Sequence, residues 1–358
     1  MPIPQPALVD PPAQQKDKDV STMLAPAKFA LALFIPAAVP LLAAAGLAWA
    51  FLPLFLAAFL IADAVLGIGD PAPERGRPTL GYRMPIWLYI PAQLALILWG
   101  AVESRSQGLG PLLVLALDIG LASGIFGMLA AHEMIHSRHL AERLLGLALL
   151  ATVGYMHFRI SHIYFHHRLA ATAEDPATAR RGESAYRFML RSIAGQWRQA
   201  RAFERRRTAG KRLPWLADRA LRGALLSTGF AVALAAGLGP RALLFGVVHG
   251  IVAVLILELF NYVAHYGLSR RTLPDGRTER LGPRHSWNTR HRFTNWTLLN
   301  GGRHSDHHRQ PTEPYQCLTE TQAEALLPAG YTAAFCLALV PPLWRQIMDP
   351  RAVQADLS

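Results

Sequence analysis

The chain is poor in cysteine: Cys317 and Cys336 are the only two, and no C-x-x-C pair occurs. That excludes a disulfide framework, a zinc ribbon and a cysteine-held iron centre of its own. Charge is scarce where the apolar runs are long. Residues 29 to 68 carry one charged side chain, Asp63, far fewer than a soluble helix needs for its solvated face. Residues 1 to 20 lack the basic segment, short apolar core and small-residue cleavage site of a signal peptide. Polar and proline-rich, they read as a disordered cytoplasmic tail. No internal repeat appears.

Apolar sequence is abundant, 52% of the 358 residues. Stretches at 29–49, 51–68, 86–102, 111–131, 223–238 and 243–263 are each close to the ~20 residues that cross a hydrocarbon layer. The expected architecture is an all-α polytopic membrane protein, six transmembrane helices with a cytoplasmic helical cap and both termini on one side. Of 36 lysines and arginines, only Arg105 and Arg241 fall in the short loops of the opposite side, which makes the terminus-bearing side cytoplasmic. The formal net charge of +12 is then mainly a topology signal. Nucleic acid is not the expected partner, because no interleaving of aromatic with basic residues accompanies the charge. The apolar run 144–156 is short, and its length favours an interfacial or re-entrant helix. An arginine-rich run, 187–212, reads as a helix on the anionic leaflet, and 330–345 is too short and too broken by proline to span. The chain thus divides into a tail (1–27), spans one to four (28–131), a cytoplasmic histidine-rich and interfacial region (132–222), spans five and six (223–264) and a cytoplasmic cap (265–358).

Nine of the 14 histidines stand at the water-facing ends of these stretches. They are His132 and His136 in HEMIH, His162, His166 and His167 in HIYFHH, His265 in NYVAHYG, and His304, His307 and His308 in RHSDHH. Residues four apart on a helix project from one face, about one turn apart, so His132 and His136 form a chelating pair. His162 and His166 are expected to share a face, with His167 turned about 100° aside toward a second ion. The H-x-x-H-H of the third cluster repeats this branched pattern. Nine imidazoles exceed the needs of one ion, and a two-metal site follows. All-nitrogen ligation of this size departs from tetrahedral structural zinc and suits iron; iron beside lipid points to O2 chemistry on an apolar substrate. A lone histidine at a helix end is ordinarily a solvated residue, but nine at chelating spacings are not. His139, His157, His249, His285 and His291 lack that spacing, and His249, inside a span, reads as a packed, hydrogen-bonded core residue.

A ligating imidazole usually donates its other N–H to a carboxylate or carbonyl; Glu133, Glu174, Asp175 and Asp306 are placed for that. Glu258 lies about two turns before His265 on one helix face, and an intramembrane carboxylate is a functional residue by default. Glu133 and Glu258 are therefore the catalytic candidates, and Asp63 is a similar buried charge. On the second span Phe51, Phe55, Ala58 and Ala62 fall at i, i+4, i+7 and i+11, a stripe about 16 Å long. It is either ordinary packing or the wall of an apolar substrate tunnel whose phenylalanines set length. Two other readings stand beside the oxygen chemistry. HEMIH alone satisfies H-E-x-x-H, the zinc-protease signature in which Glu133 is the base, though this leaves seven histidines idle. A metal or haem carrier explains the histidines without catalysis.

Together HEMIH (132–136), HIYFHHRLAATAEDPATARRGES (162–184), LELFNYVAHYGL (257–268) and RHSWNTRHRFTNWTLLNGGRHSDHH (284–308) resemble the membrane-bound alkane monooxygenases, relatives of the membrane fatty-acid desaturases. The resemblance covers at least residues 120–316, and NYxxHYG followed by RHSDHH is specific within the histidine-box proteins. It implies two non-haem irons ligated by the nine histidines and O2 as co-substrate. It further implies that one oxygen atom enters the terminal methyl of a medium or long alkane, giving a 1-alkanol. Electrons come from a separate reduced rubredoxin, served by a flavin-dependent rubredoxin reductase and NADH, at the cytoplasmic face of a bacterial inner membrane. The chain has no dinucleotide-binding glycine fingerprint, in agreement with an outside donor. Family members often carry an acidic residue before the second box and before the NYxxHYG histidine, where this chain has Ser161 and Ala264. Xylene-type methyl hydroxylases share the boxes and are the nearest alternative.

Overall fold

A computed structural model describes residues 25–69, 80–320 and 324–357. The expected tail lies outside them, except for residues 25–27, which open the first helix. Among the described residues six helices are long and apolar enough to cross a membrane: Pro26–Ala44, Ala48–Leu66, Leu80–Glu103, Leu109–His136, Arg219–Leu238 and Pro240–His265. This is the all-α polytopic architecture that hydropathy implied. Sheet is confined, among those residues, to isolated bridges and a parallel pair of two-residue strands, Trp287–Asn288 and Ala325–Leu326.

The fourth and sixth spans carry His132, His136 and His265, and glycine lets them meet. A Cβ on Gly120 would lie 2.6 Å from the Val252 Cβ, and one on Gly124 would lie 2.7 Å from the Ile256 Cβ. Small residues four apart give two helices a close approach where no hydrophobic effect drives them together; any larger side chain here would push the histidine-bearing helices apart. Just beyond Gly120 the fourth span widens into a π-helical turn, Ser123–Gly127. The helix Leu140–Thr152 has 13 residues, too few to span, and it folds back on the end of the fourth span and on the fifth. HEMIH and HIYFHH therefore stay on the same side.

The arginine-rich segment forms the helix Ala185–Thr208. Phe188, Ser192, Gln196, Ala200 and Glu204, each four apart, make its buried stripe and face the sixth span and the second histidine segment. Arg198, Arg205 and Arg206 remain exposed. Asp63, the lone charge of the second span, is buried and accepts hydrogen bonds from the Thr294 N–H at 2.9 Å and the Thr294 hydroxyl at 2.6 Å. Because Thr294 stands in the first turn of the helix Arg292–Thr297, Asp63 satisfies an end-of-helix donor from a distant part of the chain. The backbone then passes through Leu299 and Asn300 in the left-handed region (φ 48° and 53°), costly for a leucine, and enters the third histidine cluster. Residues 330–345 do not span: they belong to the helices Tyr331–Ala338 and Pro341–Leu357, which seal the cap over buried Tyr331 and Trp344.

Candidate metal centre

The nine rings converge in two sets. His132, His136, His162, His167 and His307 form one; His166, His265, His304 and His308 form the other, and within each set one nitrogen per ring lies within 4.8 Å of the rest. In the five-ring set the Nε2 atom of His162 is 2.8 Å from that of His132 and 2.9 Å from that of His167, which is 3.2 Å from His136 Nε2. In the four-ring set the Nε2 separations are 3.1 Å for His265 and His304, 3.1 Å for His304 and His308, and 3.3 Å for His265 and His308. Metal–nitrogen bonds of ~2.0–2.1 Å place the corners of a coordination polyhedron ~3 Å apart, so these nitrogens sit where ligands of a common ion sit. His166 Nε2 and His307 Nε2 are buried without a hydrogen-bond partner, the kind of orphaned acceptor that an ion satisfies. The donor set fits a pair of transition-metal ions.

The partition differs from the sequence expectation in two rings, His166 and His167, which change places. His162–His166 is a π-helical turn, and its wider winding, i to i+5, puts His162 beside His167 and sends His166 to the other set. An α-helical reading pairs His162 with His166. In the third cluster the segment His304–Arg309 is regular α-helix, and His304 and His308 share a face while His307 turns to the five-ring set. Burial, and then the neighbouring imidazoles, hold His162, His167, His304, His307 and His308 well below the ordinary histidine pKa. They are neutral near pH 7, the state in which imidazole ligates. His249 instead packs in the core, 2.8 Å from the Ser123 hydroxyl.

Of the four carboxylates considered as partners for the rings, Asp175 reaches one. Its Oδ2 is 2.8 Å from His166 Nδ1 and accepts from the Thr178 hydroxyl at 2.7 Å, while Oδ1 accepts from the Ala177 N–H at 3.1 Å. Burial alone raises this carboxyl, but His166 and the Thr178 hydrogen bond bring it below its ordinary value. Glu174 is exposed, and its carbonyl accepts from the Gln199 amide at 3.1 Å. Asp306 is buried, yet it accepts from Arg309 at 2.9 Å and from the Thr319 N–H at 2.7 Å, since one helical step from His307 turns it out of both ring sets. Glu133 likewise turns aside and accepts from the Tyr315 N–H at 3.2 Å. Glu258 is fully buried two turns from His265 and, among the described residues, bonds no imidazole; it accepts from the Tyr155 hydroxyl at 2.9 Å and the Gln196 amide at 2.8 Å. Tyr155 and Gln196 carried no signal in the sequence. Asn261, 3.4 Å from Glu258, could have been found one turn along the same helix.

Two cavities meet at Glu133. One is apolar, about 50 Å³, and is lined by His132, His162, His304 and His307 together with Met128, Ile256, Phe260 and Leu298. The other is a polar vestibule of about 360 Å³ that includes His136, Arg83, Glu142 and Tyr315. None of Phe51, Phe55, Ala58 and Ala62 lines the apolar cavity. Ala58 is exposed and Ala62 half-buried, while the buried stripe of the second span is Phe51, Phe55, Phe59 and Asp63. The large rings, in contact one after the next, hold the inward face at a uniform spacing of four, and this turns Ala58 outward.

Residues 109–337, which contain all nine converging histidines, match the fatty acid desaturase family. The chain is 36% identical over 284 residues to an alkane 1-monooxygenase of Pseudomonas putida, an alignment covering 77% of this chain and 70% of the relative. It is 37% identical over 277 residues to alkane 1-monooxygenase 1 of Alcanivorax borkumensis, covering 76% and 68%. The chain belongs to the alkane hydroxylase family. A xylene/toluene monooxygenase hydroxylase component of Pseudomonas putida is 27% identical over 266 residues, 72% of this chain and 70% of that one. In this alkane hydroxylase family member Ser161 is buried and bonds the Phe158 carbonyl at 3.1 Å and Gln196 at 3.0 Å. Ala264 is fully enclosed, so neither position has open space for an acidic side chain.

Proposed function

We propose that the protein is an alkane 1-monooxygenase that hydroxylates the terminal methyl of medium or long alkanes at two non-haem irons. O2 is the co-substrate, and a separate reduced rubredoxin, served by rubredoxin reductase and NADH, supplies electrons. The observation that carries this reading is the pair of convergent imidazole sets, four of whose rings line an apolar cavity inside a membrane bundle. One iron would be held by His132, His136, His162, His167 and His307, the other by His166, His265, His304 and His308. When bound, the irons supply O2 activation: one oxygen atom enters a terminal C–H bond as hydroxyl, and the other leaves as water with two electrons and two protons.

The residues of the chain do the rest. The apolar lining of Met128, Ile256, Phe260 and Leu298 excludes water and holds the alkyl chain by burial, about 0.8 kcal/mol per CH2. A cavity of about 50 Å³ admits such a chain only when these side chains swing to other rotamers. Glu133, at the partition between cavity and vestibule, holds a proton at its carboxylate and passes it inward. Glu258, hydrogen-bonded to Tyr155 and next to Asn261 on the cavity wall, is a second proton carrier. Asp175 fixes the ring of His166. The site faces the cytoplasm of a bacterial inner membrane, whose bilayer delivers the substrate.

The test supplies membranes holding the protein with alkanes of graded length, O2, rubredoxin, its reductase and NADH. A 1-alkanol that disappears when rubredoxin is omitted is the expected product. Oxidation of xylene without oxidation of alkanes would favour the xylene-type reading, for which the 27% identical relative speaks. Peptide cleavage with a single zinc, or reversible metal exchange with no product, would give the protease or carrier reading instead.

A further inference from the structure

Away from the histidines a groove of about 510 Å³ runs between the helix Leu140–Thr152 and the fifth span. Its lining joins the apolar Leu144, Ala148 and Leu226 to three arginines, Arg159, Arg219 and Arg222; on the fifth span Leu226 lies about one turn past Arg222, away from the boundary. Leu144 and Leu226 are more than half exposed, 56% and 60%, so the apolar part opens on the lipid-facing surface. Arg219 begins its span, which sets the arginines at the membrane boundary on the side of the histidine centre.

Countercharge is short there. Glu204 accepts from both Arg207 at 2.6 Å and Arg219 at 2.7 Å. Asp218 is engaged by Arg201, and Glu142 by Arg83. Among the described residues Arg159 and Arg222 have no carboxylate partner, and Arg159 Nε is buried with no hydrogen-bond acceptor. Leaving a guanidinium N–H buried and unpaired is costly, and an anion of the right geometry removes that cost. An apolar wall running into unpaired arginines at the interface matches one class of molecule.

We propose that this groove binds an anionic glycerophospholipid, with the headgroup phosphate on Arg159 and Arg222 and one acyl chain along Leu144, Ala148 and Leu226. Arg219, held by Glu204, adds a fixed positive charge. Basic pockets between membrane helices on the charged side of a bundle recognise anionic headgroups in this way. Free phosphate would satisfy the arginines but leave the apolar wall uncovered.

The full-length protein, purified in a neutral detergent, is mixed with phosphatidylglycerol or phosphatidylcholine of identical chains, and retained lipid is counted by native mass spectrometry. One phosphatidylglycerol should be retained in preference to phosphatidylcholine. Arg159→Gln with Arg222→Gln should weaken that retention about 30-fold. Arg222 is exposed, so Arg222→Gln alone tests the same charge without threatening the fold and should weaken it about fivefold. Leu226→Trp, which fills the apolar arm, should weaken it as well. Equal retention of the two lipids, or unchanged retention in the arginine variants, would overturn the proposal. Thermal stabilisation by inorganic phosphate equal to that by phosphatidylglycerol would make it a phosphate site and not a lipid site.

Discussion

The two imidazole sets use the same ligand type but are held in different ways. All four rings of the four-ring set are buried, one against Asp175 and one facing the His285 carbonyl at 3.4 Å. In the five-ring set three rings are half-buried, and no ring bonds a carboxylate among the described residues. His132, His162 and His307 line the apolar cavity and His136 the vestibule, whereas His304 alone of the other set reaches the cavity. Outer hydrogen bonds fix ring orientation and raise ligand basicity, so the four-ring position is the anchored one. In the function proposed above, the five-ring position is the one that substrate, protons and O2 would approach.

The largest effect should come from removing a ring. His307→Ala and His265→Ala should each reduce hydroxylation by more than about 1000-fold, because either removes a ligand that no neighbour replaces. Iron analysis separates them: His307→Ala should keep iron in the four-ring set, and loss of both irons in both variants would erase the distinction. Next comes Asp175→Asn, expected to lower iron affinity or turnover by about 10–100-fold, while Glu174→Gln leaves both unchanged. Equal effects of the two substitutions would show that the bond to His166 does not hold the anchored set.

Substrate length should respond to the cavity and not to the second span. In a competition among alkanes of graded length, Ile256→Trp should shift products toward shorter chains, since it removes volume beside the five-ring set. Ala58→Trp, on the outward face, should leave the profile unaltered; the reverse pattern would return the tunnel to the second span. The smallest effect lies outside both sets. Burial raises the Glu204 carboxyl, but hydrogen bonds from Arg207 and Arg219 win and hold it at about 2. Its contribution to stability is therefore present above the ordinary carboxylate pKa and is lost as pH falls through about 2. Glu204→Gln should lower the melting temperature by roughly 5 °C at pH 7, with the gap closing in acid. A constant gap at every pH would contradict that assignment.

The spans were legible because a bilayer imposes length and hydropathy on every crossing helix, and the nine converging histidines because chelation imposes spacing. What sequence periodicity does not reveal is winding. A single π-helical turn at His162–His166 exchanges the partners of two rings, and nothing in HIYFHH distinguishes it from α-helix. Carboxylates were harder still. Glu174 and Asp175 are adjacent in sequence and Asp306 lies inside its own box, yet only Asp175 turns to a ring, which local backbone direction decides. The alanine stripe misled because small apolar residues suit a packed face and a lipid face alike, whereas Phe59 and Asp63 fix the inward side. Gly120 and Gly124, four apart, were a readable sign of the close contact between the fourth and sixth spans.

The partition of the rings is tested most directly by a cryo-electron microscopy map of the iron-loaded full-length protein at a resolution that separates ring positions. Two densities are expected, one bounded by His132, His136, His162, His167 and His307, the other by His166, His265, His304 and His308. A single density, or His162 and His166 on one ion with His167 on the other, would contradict it.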